Sequence, residues 1–201
     1  MSYVVALKCR NCGERYPVKP ISICDECFGP LEVEYDFEKV KENISREKIE
    51  KGPKSIWRYR ELLPAGEKIV DLNAGFTPLH KADNLAEKLG LKELYVKNDS
   101  VNPTFSFKDR VVAVSVSQAL EFGFDTLACA STGNLASSVA AHAAKGNLKC
   151  YIFVPADLNV AKITQTLAYE PNLISVEGNY DDVNRLCTEI AGYYDWAFVN
   201  I

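Results

Sequence analysis

Thr126-Leu127-Ala128-Cys129-Ala130-Ser131-Thr132-Gly133-Asn134 carries an apolar run of strand length into a polar turn, and Ala136 to Ala144 continues with helical spacing. The same change of period repeats downstream. Cys150-Tyr151-Ile152-Phe153-Val154 is a second apolar run, stopped by Pro155, and a helix is expected from Val160 to Ala168. Leu173-Ile174-Ser175-Val176, a helix near Tyr180 to Tyr194, and Trp196-Ala197-Phe198-Val199 complete the series. Short apolar runs alternating with amphipathic helices indicate βαβ units and a parallel sheet buried on both faces. The fold class is therefore α/β, with a four-stranded parallel sheet and right-handed crossovers expected.

Upstream of this unit the periodicity is less regular. A helix is expected from Phe107 to about Phe122, Leu94-Tyr95-Val96-Lys97 reads as a strand, and Ala82 to Leu89 is helical with a stop at Gly90. Thr77-Pro78-Leu79 reads as a loop, and residues 36–60, charged and interrupted by Gly52-Pro53, as a linker helix. Residues 1–35 form a small β-rich knuckle that ends in the alternating stretch Leu31-Glu32-Val33-Glu34-Tyr35. Three regions follow: a ribbon over 1–35, a linker and the start of a larger domain over 36–123, and a small parallel α/β domain over 124–201.

With 201 residues the chain is long enough to bury a sizeable core, and its apolar fraction of 47% excludes a disordered or fibrous class. A formal net charge of −4, without a Lys/Arg run, argues against a nucleic-acid partner. No segment has the apolar length of a membrane span, and Met1 to Leu7 lacks the features of a signal peptide. A cytoplasmic protein is expected.

The seven cysteines divide into two kinds. Cys129, Cys150 and Cys187 stand singly in apolar or helical surroundings and read as small buried hydrophobes. Cys9, Cys12, Cys24 and Cys27 form two CxxC pairs, each closely followed by glycine, Gly13 or Gly29. Two residues between cysteines let both thiolates of a tight turn face one ion about 2.3 Å away, and two such turns complete a tetrahedron. The spacing predicts a closed, structural Zn2+ site whose binding supplies folding free energy to a segment too small to fold alone. Disulfides or a lost metal are the alternatives.

Two further features carry chemistry. In Asn102-Pro103-Thr104-Phe105-Ser106-Phe107-Lys108-Asp109-Arg110 a lysine opens a helix, where the positive end of the dipole disfavours its protonated form and favours a nucleophilic amine. An ordinary surface lysine is the plainer reading. The turn Ser131-Thr132-Gly133-Asn134 lies at the carboxyl end of a strand and at a helix N-terminus, a cradle for a carboxylate or phosphate. Its glycine spacing is not the dinucleotide fingerprint, and a βα turn with a capping hydroxyl is the plainer reading.

Together these stretches resemble the pyridoxal 5'-phosphate (PLP) enzymes of the tryptophan-synthase-β fold (fold type II). Ser106-Phe107-Lys108-Asp109-Arg110 is most similar to the threonine synthases, and Asn73 to Leu79, Val154-Pro155 and Ala161 to Gln165 also resemble the family's pattern. Some members carry an N-terminal zinc ribbon. The resemblance implies that Lys108 is the catalytic, Schiff-base lysine, with Phe107 and Asn134 also at the cofactor. It implies that Ser131, Thr132 and Gly133 bind the substrate carboxylate, and that Lys97 either meets a substrate phosphate or is an exposed strand-end lysine. The implied reaction converts O-phospho-L-homoserine and water to L-threonine and phosphate, a step in amino-acid biosynthesis.

Alternatives are a paralogue such as cysteate synthase, acting on phosphoserine and sulfite, or a non-catalytic zinc-ribbon scaffold. The chain departs from the family pattern at Phe105 and Val111, where many relatives carry glycine. The glycine-rich loop for the PLP phosphate and the residue beside the pyridine nitrogen would lie beyond Ile201. An incomplete chain, inactive alone and self-associating or dimeric through unpaired edges, is therefore expected.

Overall fold

The computed structural model describes residues 2–199; Met1, Asn200 and Ile201, at the outer limits of the first and last expected regions, lie outside the described residues. The ribbon is an antiparallel sheet of β1 (Val4–Cys9), β2 (Arg15–Tyr16) and β3 (Leu31–Tyr35), in the order β2-β1-β3. Leu7 faces Tyr16 and Val33, and Cys9 faces Leu31, so the first CxxC caps the hairpin. An isolated bridge between Ile23 and Pro30 closes the second.

The expected linker helix divides into α1 (Phe37–Asn43) and α2 (Arg46–Lys51), capped by the Asp36 and Ser45 side chains. A 3-10 turn at Ile56–Leu62 follows, and it buries Ile56 and Trp57 against Ala65, Ala74 and Ala113. Leu79, expected in a loop, begins β4 (Leu79–Lys81). It pairs antiparallel, through Lys97, with β5 (Tyr95–Lys97) across the short helix α3 (Asp83–Lys88). A three-residue strand is too short to show alternation, which is why the sequence pattern does not mark it.

The next helix is α4 (Lys108–Glu121), and its buried residues, Asp109, Val112, Ala113, Val116 and Ser117, follow helical spacing. The parallel sheet is built from β6 (Thr126–Ala130), β7 (Lys149–Pro155), β8 (Asn172–Val176) and β9 (Ala197–Phe198). All pairings are parallel and the order is β8-β7-β6-β9. The connecting helices are α5 (Asn134–Gly146), α6 (Thr164–Leu167) and α7 (Tyr180–Ala191). The expected helix from Val160 to Ala168 is interrupted: a 3-10 turn over Val160–Lys162 precedes the four residues of α6.

Every residue of β6 is buried, but β8 at the edge is half exposed. The sheet is thus covered on both faces only at its centre. One face packs under α5, where Leu127, Cys129 and Ile152 meet Val139, Ala140 and Ala143; the other packs under α7, through Ala128, Phe153, Val183 and Cys187. Val112, Val116 and Ala119 of α4 join the α5 side, so the helix before residue 124 shares the core of the unit after it. The alanines and serines of α5 permit this close double packing. Cys129, Cys150 and Cys187 are buried, and burial raises the Cys150 and Cys187 thiols to about 12 and about 11.

His142 sits fully buried within α5. Its Nδ1 lies 2.9 Å from the carbonyl of Ser138, which can only accept, so Nδ1 donates and the neutral ring leaves Nε2 without a partner. Burial holds its pKa below the ordinary 6.5, against the partial opposition of Asp109 and Asp71. A depressed folded pKa means that His142 costs nothing above 6.5. Below that value the unfolded chain takes a proton the folded one refuses, and stability falls by at most about 1.4 kcal/mol per pH unit. We expect His142→Asn, which keeps a donor toward Ser138, to flatten this loss in urea titrations between pH 7 and 5. A stability difference between the two proteins that is independent of pH would count against it.

Candidate active site and metal centre

The strand order reverses direction at β6, because the chain runs from β6 through β7 to β8 and then returns to place β9 on the other side. In open α/β sheets such a reversal leaves a crevice at the carboxyl ends of the strands. Ser131 and Thr132, half-buried, and Gly133 and Asn134, exposed, lie there between β6 and α5. No side chain caps α5, so the N–H groups of its first turn are left for another partner. They open on a cavity of about 470 Å3 lined by Thr132, Gly133, Asn134, Ser137, Lys162 and Gln165. Tyr180, which sequence reasoning did not single out, ties the start of α7 to the end of β6 by donating from its hydroxyl to the carbonyl of Ala130 at 2.9 Å.

Lys108 is the first residue of α4, and its backbone N–H donates to the Ser106 hydroxyl at 3.2 Å. Its Nζ lies 5.2 Å from the centroid of the Phe107 ring and, among the described residues, takes part in no ion pair. The next residue holds it in place. Asp109 is fully buried, and its carboxylate accepts from the Thr104 N–H (2.7 Å), the Thr104 hydroxyl (2.7 Å) and the Ser138 hydroxyl (2.6 Å). Ser138 stands one turn beyond Asn134 on α5, so this carboxylate fastens the Lys108 turn to the helix that carries the Ser131–Asn134 cradle. Gln165 adds a bond from its side-chain amide to the Thr104 carbonyl at 3.2 Å.

Arg110 faces another way. Its guanidinium donates to Asp99 (2.7 Å) and to the Thr77 hydroxyl (3.0 Å), and Arg110 holds the Asp99 carboxyl below its ordinary value. The ammonium of Lys97 donates to the Thr77 carbonyl in the same group. Lys97 is therefore not brought to the cavity, and it would have to leave Thr77 to meet a phosphate there. Phe105 takes a left-handed conformation with φ 61° and leaves its ring exposed, the backbone state in which glycine is unstrained.

The four ribbon cysteines converge, with all Sγ atoms within 4.8 Å of one another. Cys9 to Cys27 and Cys12 to Cys24 are 3.4 and 3.6 Å, against about 3.8 Å for the edge of a tetrahedron with sulfurs about 2.3 Å from a central zinc. The donor set fits the ion. The two knuckles repeat one backbone pattern: Cys9 N–H to Glu14 carbonyl and Gly13 N–H to Cys9 carbonyl, then Cys24 N–H to Gly29 carbonyl and Phe28 N–H to Cys24 carbonyl. In each, the fifth residue is left-handed, Gly13 at φ 81° and Phe28 at φ 57°. The second glycine serves differently: a Cβ on Gly29 would stand 2.7 Å from the Asn11 side chain. The Tyr16 hydroxyl, 3.2 Å from Cys24 Sγ, brings that thiol down to about 6.

A parallel sheet with a topological reversal and an uncapped helix at its carboxyl end is the architecture of an α/β enzyme; the cavity there is lined by Lys162, and Lys108 is not among its lining residues. A model of the family described as "Pyridoxal-phosphate dependent enzyme" matches residues 70–200, and the chain belongs to that family. It is 43% identical over 187 residues to the threonine synthase of Methanocaldococcus jannaschii, covering 92% of this chain and 46% of that protein. Against the threonine synthase of Methanosarcina acetivorans it is 42% identical over 189 residues, covering 91% and 46%. The chain thus spans about half the length of the curated relatives it matches. The apo crystal structure of diaminopropionate ammonia lyase from Escherichia coli matches with a TM-score of 0.58 at 24% identity, over 65% of this chain and 41% of that one, a likeness of fold.

Replacing Asp109 by alanine leaves the Thr104 N–H and two hydroxyls without their acceptor. We expect a loss of about 3 kcal/mol or more in urea unfolding, and a smaller loss for Asp109→Asn, which keeps one acceptor oxygen. A loss under about 1 kcal/mol for the alanine variant would show that the carboxylate is not what joins α4 to α5.

Proposed function

We propose that this chain supplies one side of a PLP-dependent active site which, when whole, converts O-phospho-L-homoserine and water to L-threonine and phosphate in the cytoplasm. The observation that carries the reading is the Asp109 link, which fixes the Lys108 turn against the helix bearing the cradle. The identity to threonine synthases over nine-tenths of the chain supports the choice of reaction. When bound, PLP supplies an electron sink that stabilises negative charge on the carbons of an amino-acid substrate.

The chain's own groups do the remainder. Lys108 would hold the cofactor covalently and, released from it, carry protons to and from the substrate carbons as base and acid. Ser131, Thr132 and the free N–H groups at the start of α5 would hold the substrate carboxylate. The Asn134 amide would donate to the hydroxyl of the cofactor ring, and Phe107 would shield the amine of Lys108. Cys9, Cys12, Cys24 and Cys27 would hold one structural zinc, with no position open for catalysis.

Borohydride reduction of the protein with excess PLP should label Lys108 and spare the other lysines. Label that persists in Lys108→Ala would overturn the assignment. The chain by itself should hold PLP weakly, since each charge-assisted bond to the cofactor phosphate contributes about 1.5–3 kcal/mol and those donors would come from elsewhere. Phosphate release measured from O-phospho-L-homoserine with this chain alone would contradict the half-site reading. Co-expression with the second half of a threonine synthase should restore release from phosphohomoserine, and release only from phosphoserine with sulfite would assign a different substrate.

A further inference from the structure

The phenol of Tyr16 reaches from the first knuckle of the ribbon into the second. Tyr16 lies on β2, paired with Leu7 of β1, so its backbone belongs to the hairpin that Cys9 and Cys12 close. Its hydroxyl lies 3.2 Å from Cys24 Sγ and accepts from the Asp25 N–H at 3.0 Å, both in the other knuckle. The direction of the sulfur contact follows by elimination. An amide N–H can only donate, so the phenol oxygen accepts from Asp25 and keeps one proton to give. A metal-bound thiolate has no proton and can only accept.

We propose that Tyr16 is a positioning residue for the metal centre: its O–H donates to the Cys24 thiolate, sets the separation of the two CxxC turns and offsets charge on the ligand set. The inference rests on the zinc reading given above. Four thiolates outweigh the charge of one Zn2+, and hydrogen bonds from groups behind the ligands lower that excess and fix ligand orientation. Backbone N–H groups do this within each knuckle. Tyr16 does it between the knuckles, and Cys24, the thiolate it serves, is fully buried, where water cannot take its place.

The test uses the 201-residue protein loaded with zinc, and separately with cobalt(II). Tyr16→Phe removes the hydroxyl and keeps the ring. In competition with a chromophoric chelator it should hold zinc about 10- to 100-fold more weakly. In the cobalt form its sulfur-to-metal charge-transfer band should move to longer wavelength, because a thiolate without its donor gives up an electron more readily. Lys19→Ala removes the ammonium 5.8 Å from the same ring centroid but leaves the hydroxyl, and it should change neither reading. Weaker binding with an unmoved band would reduce Tyr16 to a packing residue and overturn the proposal, as would unchanged affinity. Failure of the unaltered protein to bind either metal is a separate result, which removes the zinc reading itself.

Discussion

Burying an ionised carboxylate is expensive unless every lone pair that faces the interior finds a donor. Asp109 meets that condition with one backbone N–H and two hydroxyls, all within 2.7 Å. The donors come from different places: Thr104 from the loop before α4, and Ser138 from α5, the helix that follows β6 in the chain. Satisfying one charge therefore fixes three segments together. Lys108, the neighbouring residue, inherits its position from that arrangement. The backbone at Lys108 is held because the residue beside it cannot move without uncovering a charge.

The same stretch of α4 is fixed a second time from the outside. Arg110, one residue further on, is partly exposed and holds Asp99, while Thr77 donates to that carboxylate at 2.6 Å. Asn102 adds to the brace by accepting from the Gly75 N–H at 2.9 Å and donating to the Asp99 carbonyl. Gly75 has no room for a side chain, since a Cβ there would stand 2.5 Å from Ile56 Cγ2 and 2.8 Å from the Arg110 guanidinium. The stretch from Asn73 to Leu79 is thus tied by packing and charge to the stretch from Asn102 to Arg110. The two motifs quoted separately from the sequence act as one wall.

The sequence shows strands β6, β7 and β8 and helices α4, α5 and α7 because each is long enough to display its period. The elements it hides are short or set by partners. β4 is three residues beside a proline, and the helix expected from Val160 to Ala168 hides a break into a 3-10 turn and the single turn of α6. The left-handed residue of the second knuckle is Phe28, although Gly29 follows it, so turn chemistry points one position too far. The cradle and Lys108 are legible as motifs. Asp109 as their link is not, because its partners stand 5 and 29 residues away and a buried Asp reads the same as a solvated one until the fold joins them.

Topology explains why that link is needed. The reversal of strand order puts the crevice at the end of β6, and α5, starting there, leaves the N–H groups of its first turn without a side-chain cap. The residues from Ala130 to Val139 contain no lysine. Lys108 stands outside that βα unit, on α4, the helix just before β6, which packs directly on α5 through Val112, Val116 and Ala119. Apolar packing alone leaves such helices free to slide by a fraction of a turn, since it is non-directional. A buried carboxylate with three directional donors does not permit sliding. The hydrophobic contact brings α4 to α5, and Asp109 sets the register in which Lys108 stands.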